Sequence, residues 1–384
     1  LIKSLSRSEK RYFKLLSTLQ SGTKNYMKLF DAIDLQGHYD ELDIKSQFAN
    51  ENFVNHLPAQ KNNLYGLILK SLRSFYADKS VAAILQEQIR NVELLMDKAL
   101  YKECNKIIRK GKAIAYAYEK YYFLIDLIDL EKSLVEEEYL RGDFAKDLTK
   151  LVKEENECLK KLKNIAEYQI LYSKINYVFR TGGYIRTAEE KEIIDKITNH
   201  KLIKNENSAQ SKKAATACYY VRGLCAYTER DLDAAHLNFK KVVQIMEENP
   251  KIMCDLPSRY VKALNNLMFS YMDYEDWDNA LKIITKLKSL VAQKGFESIG
   301  LQVKIFTFSN NAELLISLTR GNLHKAITNV IPSVLKGIEK YDLKINDEEI
   351  MLFYYNISRI YFGARDYKNA LKYINLVLNN SERG

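Results

Sequence analysis

Proline and glycine are scarce in this sequence, four and fourteen among 384 residues. Strands need turns at short intervals, and turns draw on Gly, Pro, Asn and Asp, so a β-rich chain is excluded. The five cysteines, Cys104, Cys158, Cys218, Cys225 and Cys254, are scattered, odd in number and form no CxxC pair. That argues against a disulfide framework and for a reducing compartment, and the expected location is cytoplasmic. Cys218 and Cys225 lie seven apart on one helix face and read as small core residues rather than nucleophiles. None of the five histidines sits at metal-ligand spacing, so no metal and no cofactor is expected, and His236 and His324 read as helix-face residues. No apolar run reaches the roughly 20 residues of a membrane span; the longest, 121–130, is broken by Asp126 and Asp129. The one glycine pair, in Thr181-Gly182-Gly183, lacks phosphate-loop spacing and reads as a helix-ending turn. Glu136, Glu137 and Glu138 are consecutive, so they fan around a helix instead of forming an acid/base pair. No catalytic residue emerges, and an enzyme is not expected. The chain begins at Leu1 rather than Met, as a fragment would, which leaves open a targeting segment ahead of it.

What the sequence does have is core material, 47% hydrophobic against 28% charged residues, in long Leu, Lys, Glu, Ala and Ile stretches that favour helix. The net charge of +10 invites a nucleic-acid reading. Its distribution weakens that reading. Residues 1–80 hold 12 Lys/Arg against 8 Asp/Glu, 81–150 hold 12 against 13, and 151–384 hold 35 against 28. The excess is diffuse, whereas a phosphate-binding surface needs a local cluster.

A phrase recurs in the C-terminal half. It runs from Tyr219 and Gly223 through Asp231, Leu232 and Ala235 to Phe239, then from Leu264 through Tyr271, Asp276, Trp277 and Ala280 to Ile284. It returns through Gly321, Asn322, Leu323 and Ala326 to Val330, and from Tyr354 through Tyr361, Asp366, Tyr367 and Ala370 to Ile374. An apolar helix is followed by a turn of Asp or Asn plus an aromatic or Leu, an Ala three residues on, and an apolar residue four after that. The Asp or Asn suits the cap of a second helix. The aromatic or Leu is expected to wedge between the paired helices. The Ala marks where the helices come closest, since a larger side chain would overpack the contact.

These segments resemble tetratricopeptide repeats. The resemblance implies an all-α, TPR-like α-solenoid, a right-handed superhelix of helical hairpins whose concave groove holds a protein or peptide partner. The alanines are 45, 46 and 44 residues apart, longer than the standard repeat of about 34. Weaker echoes place Cys104, Asp147 (after Gly142, Asp143 and Phe144) and Thr187 in the same small-residue slot, extending helical pairs back to about residue 81. The polar stretch 201–213 reads as a loop and subdomain break, and Asn249-Pro250 and Leu256-Pro257 as helix interruptions. The expected domains are an N-terminal bundle 1–80, degenerate helical pairs 81–200, and TPR-like repeats 214–384.

In residues 1–80, Ser6 and Glu9 suit a helix start, with Gly22 ending that helix. A second helix carries Tyr26 to Ile33, a short third runs over 41–49, and a fourth starts near Pro58. The bundle reads as a solenoid cap, or alternatively as a helix-turn-helix. In that second reading Gln60, Lys61, Asn62 and Asn63 face base edges while Lys70 and Arg73 meet phosphates. The connection 50–57 is long for such a motif. Of the 27 tyrosines, Tyr116, Tyr118, Tyr121, Tyr122, Tyr219, Tyr220 and Tyr227 gather on first helices, as core filling or as groove lining. The expected function is a non-catalytic scaffold for a protein or peptide, with Tyr219, Arg222, Asn265, Asn266 and Asn356 as groove residues, Asn serving as a clamp on peptide backbone. A DNA-binding regulator with a peptide-sensing repeat domain is the alternative.

Overall fold

The computed structural model describes residues 1–18, 25–140, 148–341 and 344–381. Their regular structure is all helix, with no strand among the described residues. The chain divides into two compact units, one of Leu1–Ile114 with Asp129–Phe144, the other of Ala115–Ile128 with Ala145–Gly384.

The first unit opens with α1 (Arg7–Thr18), α2 (Asn25–Leu35), α3 (Glu41–Gln47) and α4 (Leu57–Phe75). Ser6 starts α1 as expected: its backbone N–H donates to Glu9 Oε2 at 2.6 Å, and its hydroxyl accepts from Glu9 N at 3.3 Å. Phe13, Leu29, Phe30, Ile44, Leu57, Leu64 and Ile68 form the core. The expected end of the first helix at Gly22 lies outside the described residues. A 3-10 turn, Asn52–His56, fills most of the connection between α3 and α4. α5 (Val81–Met96) and α6 (Tyr101–Ala117) then form a hairpin, and Cys104 is buried as its small-residue position requires. α7 (Tyr121–Leu140) contributes Glu131 to this unit, paired with Lys112 at 2.8 Å.

The second unit carries the repeats. Its leading helix α8 (Leu148–Gly182) is followed by α9 (Ala188–Thr198) and α10 (Lys201–Lys204). Four hairpins come next. These are α11 (Lys212–Thr228) with α12 (Leu232–Glu248), and, after the short α13 (Pro250–Asp255), α14 (Pro257–Asp273) with α15 (Trp277–Leu290). The third pairs α16 (Ile299–Thr319) with a second helix built from α17 (Leu323–Lys325), a π-helical turn Ala326–Val330 and α18 (Ile331–Tyr341). The fourth is α19 (Asp347–Gly363) with α20 (Tyr367–Ser381). The π turn ends where Pro332 enters; its ring cannot sit in a regular helical turn, so the ladder locally widens.

Ala235, Ala280, Ala326 and Ala370 are all buried, at 0 to 7% exposure. The four hairpins share one turn. Arg230, Glu275, Gly321 and Arg365 take left-handed φ values of 63°, 57°, 69° and 62°. The following N–H, of Asp231, Asp276, Asn322 or Asp366, reaches back at 2.9 Å to the carbonyl five residues earlier, a Schellman closure of the first helix. Asp231, Asp276 and Asp366 then cap the second helix through Ala234, Asn279 and Asn369 N–H groups. Only one of the four left-handed positions is glycine. Because an L side chain there costs about 1–2 kcal/mol, Glu275→Gly, at an exposed position, is expected to raise stability by about 0.5–1 kcal/mol. Urea unfolding checks this, and a variant no more stable than the parent refutes it.

Two expectations change. Thr187 occupies no close contact; it is exposed and caps α9 in a capping box with Glu190. The wedge residue serves both its own hairpin and a neighbour: the Tyr367 ring meets Phe362 of its own first helix edge to face at 5.7 Å, and Leu323 meets Gly363 of the next hairpin, where a Cβ would stand 2.9 Å from it. The Asp147 slot lies outside the described residues. Within 201–213, α10 buries Leu202 and Ile203, and Tyr168 Oη on α8 donates to the Leu202 carbonyl at 2.9 Å.

Candidate functional site

The first helices of successive hairpins run parallel, because bonded pairs sit at the same count from their turns to within one residue. Asn266 Nδ2 donates to Tyr220 Oη at 3.0 Å, Lys304 Nζ to Ser258 Oγ at 3.3 Å, and Asn356 Nδ2 approaches Asn311 Oδ1 at 3.5 Å. Where α8, α11 and α14 meet, a cleft of about 300 Å³ opens. Its lining includes Tyr172, Tyr220, Asp255, Ser258, Arg259 and Lys262.

The side chains of that cleft follow from local chemistry. Pro257 starts α14 at a position whose N–H has no partner in any case, and no side chain caps this helix. Arg259, in the same first turn, is half-buried, and its guanidinium donates to the Lys213 carbonyl at 3.2 Å and to Thr216 Oγ1 at 3.1 Å. Both acceptors are neutral, and among the described residues no carboxylate pairs with it. Burial holds its pKa below the ordinary arginine value. Lys262, one turn along, reaches Tyr172 Oη at 3.4 Å. The rings of Tyr172 and Tyr220 meet edge to face, 5.7 Å apart. Burial pushes the Tyr220 phenol up, so it stays neutral. Asp255 is the one acid of the lining, and it is already shared by Lys120 and Lys213, at 2.6 Å each.

The residues singled out from sequence fall in different places. Tyr219 and Arg222 line another cleft, of about 570 Å³, with Ile203, Glu229 and Lys241. There the Arg222 guanidinium donates to the Ile203 carbonyl and lies 5.8 Å from the Tyr219 ring. Asn266 reaches the first cleft through Tyr220. The Asn265 Oδ1 is buried without a hydrogen-bond partner, and Asn356 is buried at 1% exposure. On α4, Asn62, Asn63, Lys70 and Arg73 are exposed and Gln60 is half-buried, while Lys61 is held by Glu41 at 2.7 Å and Tyr39 Oη at 3.1 Å. Arg259 and Lys262 are what sequence reading misses. Their signal is the polar stripe Arg259, Lys262, Asn266, at positions i, i+3 and i+7 on one face of a first helix.

His236 is half-buried, bonded to Ser270 Oγ at 2.6 Å and set edge-on to Tyr271 at 4.9 Å. Cys218 and Cys225 are buried in the core. Among the described residues no group of three His, Cys, Asp or Glu could hold a metal ion, and no helix is long and apolar enough to cross a membrane. Compared with family models, with curated proteins and with solved structures, the chain has no match in any of the three.

Proposed function

We propose that this protein is a non-catalytic, TPR-like scaffold that holds a protein partner by an extended acidic segment laid across its first helices. The carrying observation is Arg259, a half-buried guanidinium beside an open cleft whose two hydrogen bonds go to neutral oxygens. A cation partly withdrawn from water is costly without a charged partner, and a carboxylate entering the cleft would supply one. Lys262 would add a second positive charge, Tyr220 and Tyr172 apolar ring surface, and Asn266 a side-chain amide near the peptide backbone.

The test is partner capture by the full chain, followed by affinity measurement with Arg259→Gln. A charge-assisted hydrogen bond is worth about 1.5–3 kcal/mol, so affinity for the captured partner should fall roughly 10- to 100-fold. Raising salt should weaken the parent more than the variant. Unchanged affinity with Arg259→Gln would sink the assignment of this cleft.

A further inference from the structure

The long helix α8 is apolar on two opposite faces. On one, Tyr168, Leu171, Ile175 and Val178 lie in the core of the repeat unit. On the other, Val152, Leu159, Ile170 and Tyr177 are 42%, 46%, 57% and 63% exposed. The solvent side of a packed helix is ordinarily polar, so a second apolar stripe calls for a second contact. The stripe has a coiled-coil period. Positions 152, 156, 159, 163, 166, 170, 173 and 177 stand alternately four and three residues apart. All eight are exposed, along about 38 Å of helix.

The order of residues identifies the occupant. A two-fold contact brings residue i to j and j back to i, so a helix that packs on its own copy must be complementary to itself. Run antiparallel about a point between Asn164 and Ile165, this stripe is. Val152 of one copy meets Tyr177 of the other and Leu159 meets Ile170, apolar on apolar, while Asn156 meets Ser173, amide on hydroxyl. The one charged residue of the stripe, Lys163, meets its smallest, Ala166, along which the lysine stem can run out to water. On the flank, Lys160 meets Glu167, an opposite-charge pair made twice by symmetry. Further out Lys153 meets Lys174, both exposed, where salt screens them. A parallel alignment would instead set Lys163 on Lys163 inside the seam, like charge on like. No other helix is required to reproduce this order, whereas a second copy carries it by definition.

We propose that the protein self-associates through the outer face of α8, two copies packing their α8 helices antiparallel with Leu159 of each on Ile170 of the other. Tyr172, which lines the Arg259 cleft, projects from the opposite side of α8, so the two surfaces are separate.

Sedimentation equilibrium of the full chain at micromolar concentrations should show monomer and dimer in exchange. Ile170→Asp, at an exposed position, should weaken the dimer roughly tenfold or more and leave the far-UV circular dichroism unchanged. Lys174→Glu turns the outer like-charge pair into an attractive one, and should tighten the dimer roughly threefold at low salt. Mixed Leu159→Cys and Ile170→Cys chains should form a disulfide-linked dimer on mild oxidation that the parent does not form. Leu159→Cys alone should not, because its two copies stand eleven residues apart along the seam, about 16 Å, beyond disulfide reach. Arg259→Gln should leave the dimer intact, which separates this surface from the cleft proposed above. A chain that stays monomeric overturns the proposal. So does an Ile170→Asp dimer as tight as the parent's, a Lys174→Glu dimer no tighter than the parent's, or crosslinking of Leu159→Cys with itself.

Discussion

Asp255→Ala is expected to cost the repeat unit about 3–5 kcal/mol at neutral pH, the range for removing one partner of a buried ion pair. Asp255 is 8% exposed and Lys213 10%, so neither charge has much water. The carboxylate divides its oxygens between two ammonium groups, Oδ1 to Lys120 and Oδ2 to Lys213. Lys120 is more exposed, at 22%, and its flexible stem lets it turn outward. Lys213 cannot do so without moving the start of α11, where its backbone N–H and that of Lys212 donate to Glu119 at 2.8 Å each. Burial already pulls the Lys213 pKa below its ordinary value, with Asp255 acting in the opposite sense. Without Asp255 the folded-state pKa falls further. A base whose folded pKa lies below its unfolded pKa destabilises wherever it must carry its proton. That penalty fades as pH rises through the folded value toward about 10.4, the unfolded one. The deficit of Asp255→Ala should therefore shrink between pH 7 and pH 9.5 in denaturant melts, and Asp255→Ala with Lys213→Met should recover much of it at pH 7. A loss under about 1 kcal/mol, independent of pH, would mean the lysine finds water without its partner.

How far the sequence discloses this structure depends on whether one residue type serves one purpose. A small side chain where two helices nearly touch has few substitutes, so Ala235, Ala280, Ala326 and Ala370 are legible and are buried. Thr187 fails the same reading because threonine is also a helix cap, and the Glu190 three residues on was the better clue. The left-handed turns at Arg230, Glu275 and Arg365 carry no signature at all, since the strained conformation is held by the flanking hydrogen bonds rather than by glycine. The candidate site is less legible than the fold. α11 is buried almost all round, with Ala214, Cys218, Tyr220, Val221, Leu224 and Cys225 on several sides, so no polar stripe tells which face meets a groove. Tyr219 and Tyr220 consequently line different clefts. Arg259 is half-buried because α8 and α11 pack beside it, a long-range fact that local sequence does not hold.

Gly337→Ala is expected to destabilise the third hairpin by about 1–3 kcal/mol, although alanine is the better helix former by about 1 kcal/mol. The sign is set by contact. A Cβ on Gly337 would stand 2.0 Å from Phe306 Cε2 and 2.3 Å from its Cζ, well inside van der Waals distance. A surface phenylalanine could swing aside, but Phe306 is boxed in. Its ring lies 5.4 Å from that of Tyr341 and 5.5 Å from that of Phe353, and Phe353 is itself fully buried. The backbone of α18 would have to retreat, and α18 hangs from the π turn that also seats Ala326. Phe306→Leu in the Gly337→Ala background removes the ring that clashes and should restore part of the loss, whereas Phe306→Leu alone opens a cavity and destabilises. The cycle of the two single variants and the double, measured by urea unfolding, should thus show a favourable coupling of about 1 kcal/mol or more. Additive costs would mean that α16 and α18 do not meet through this glycine.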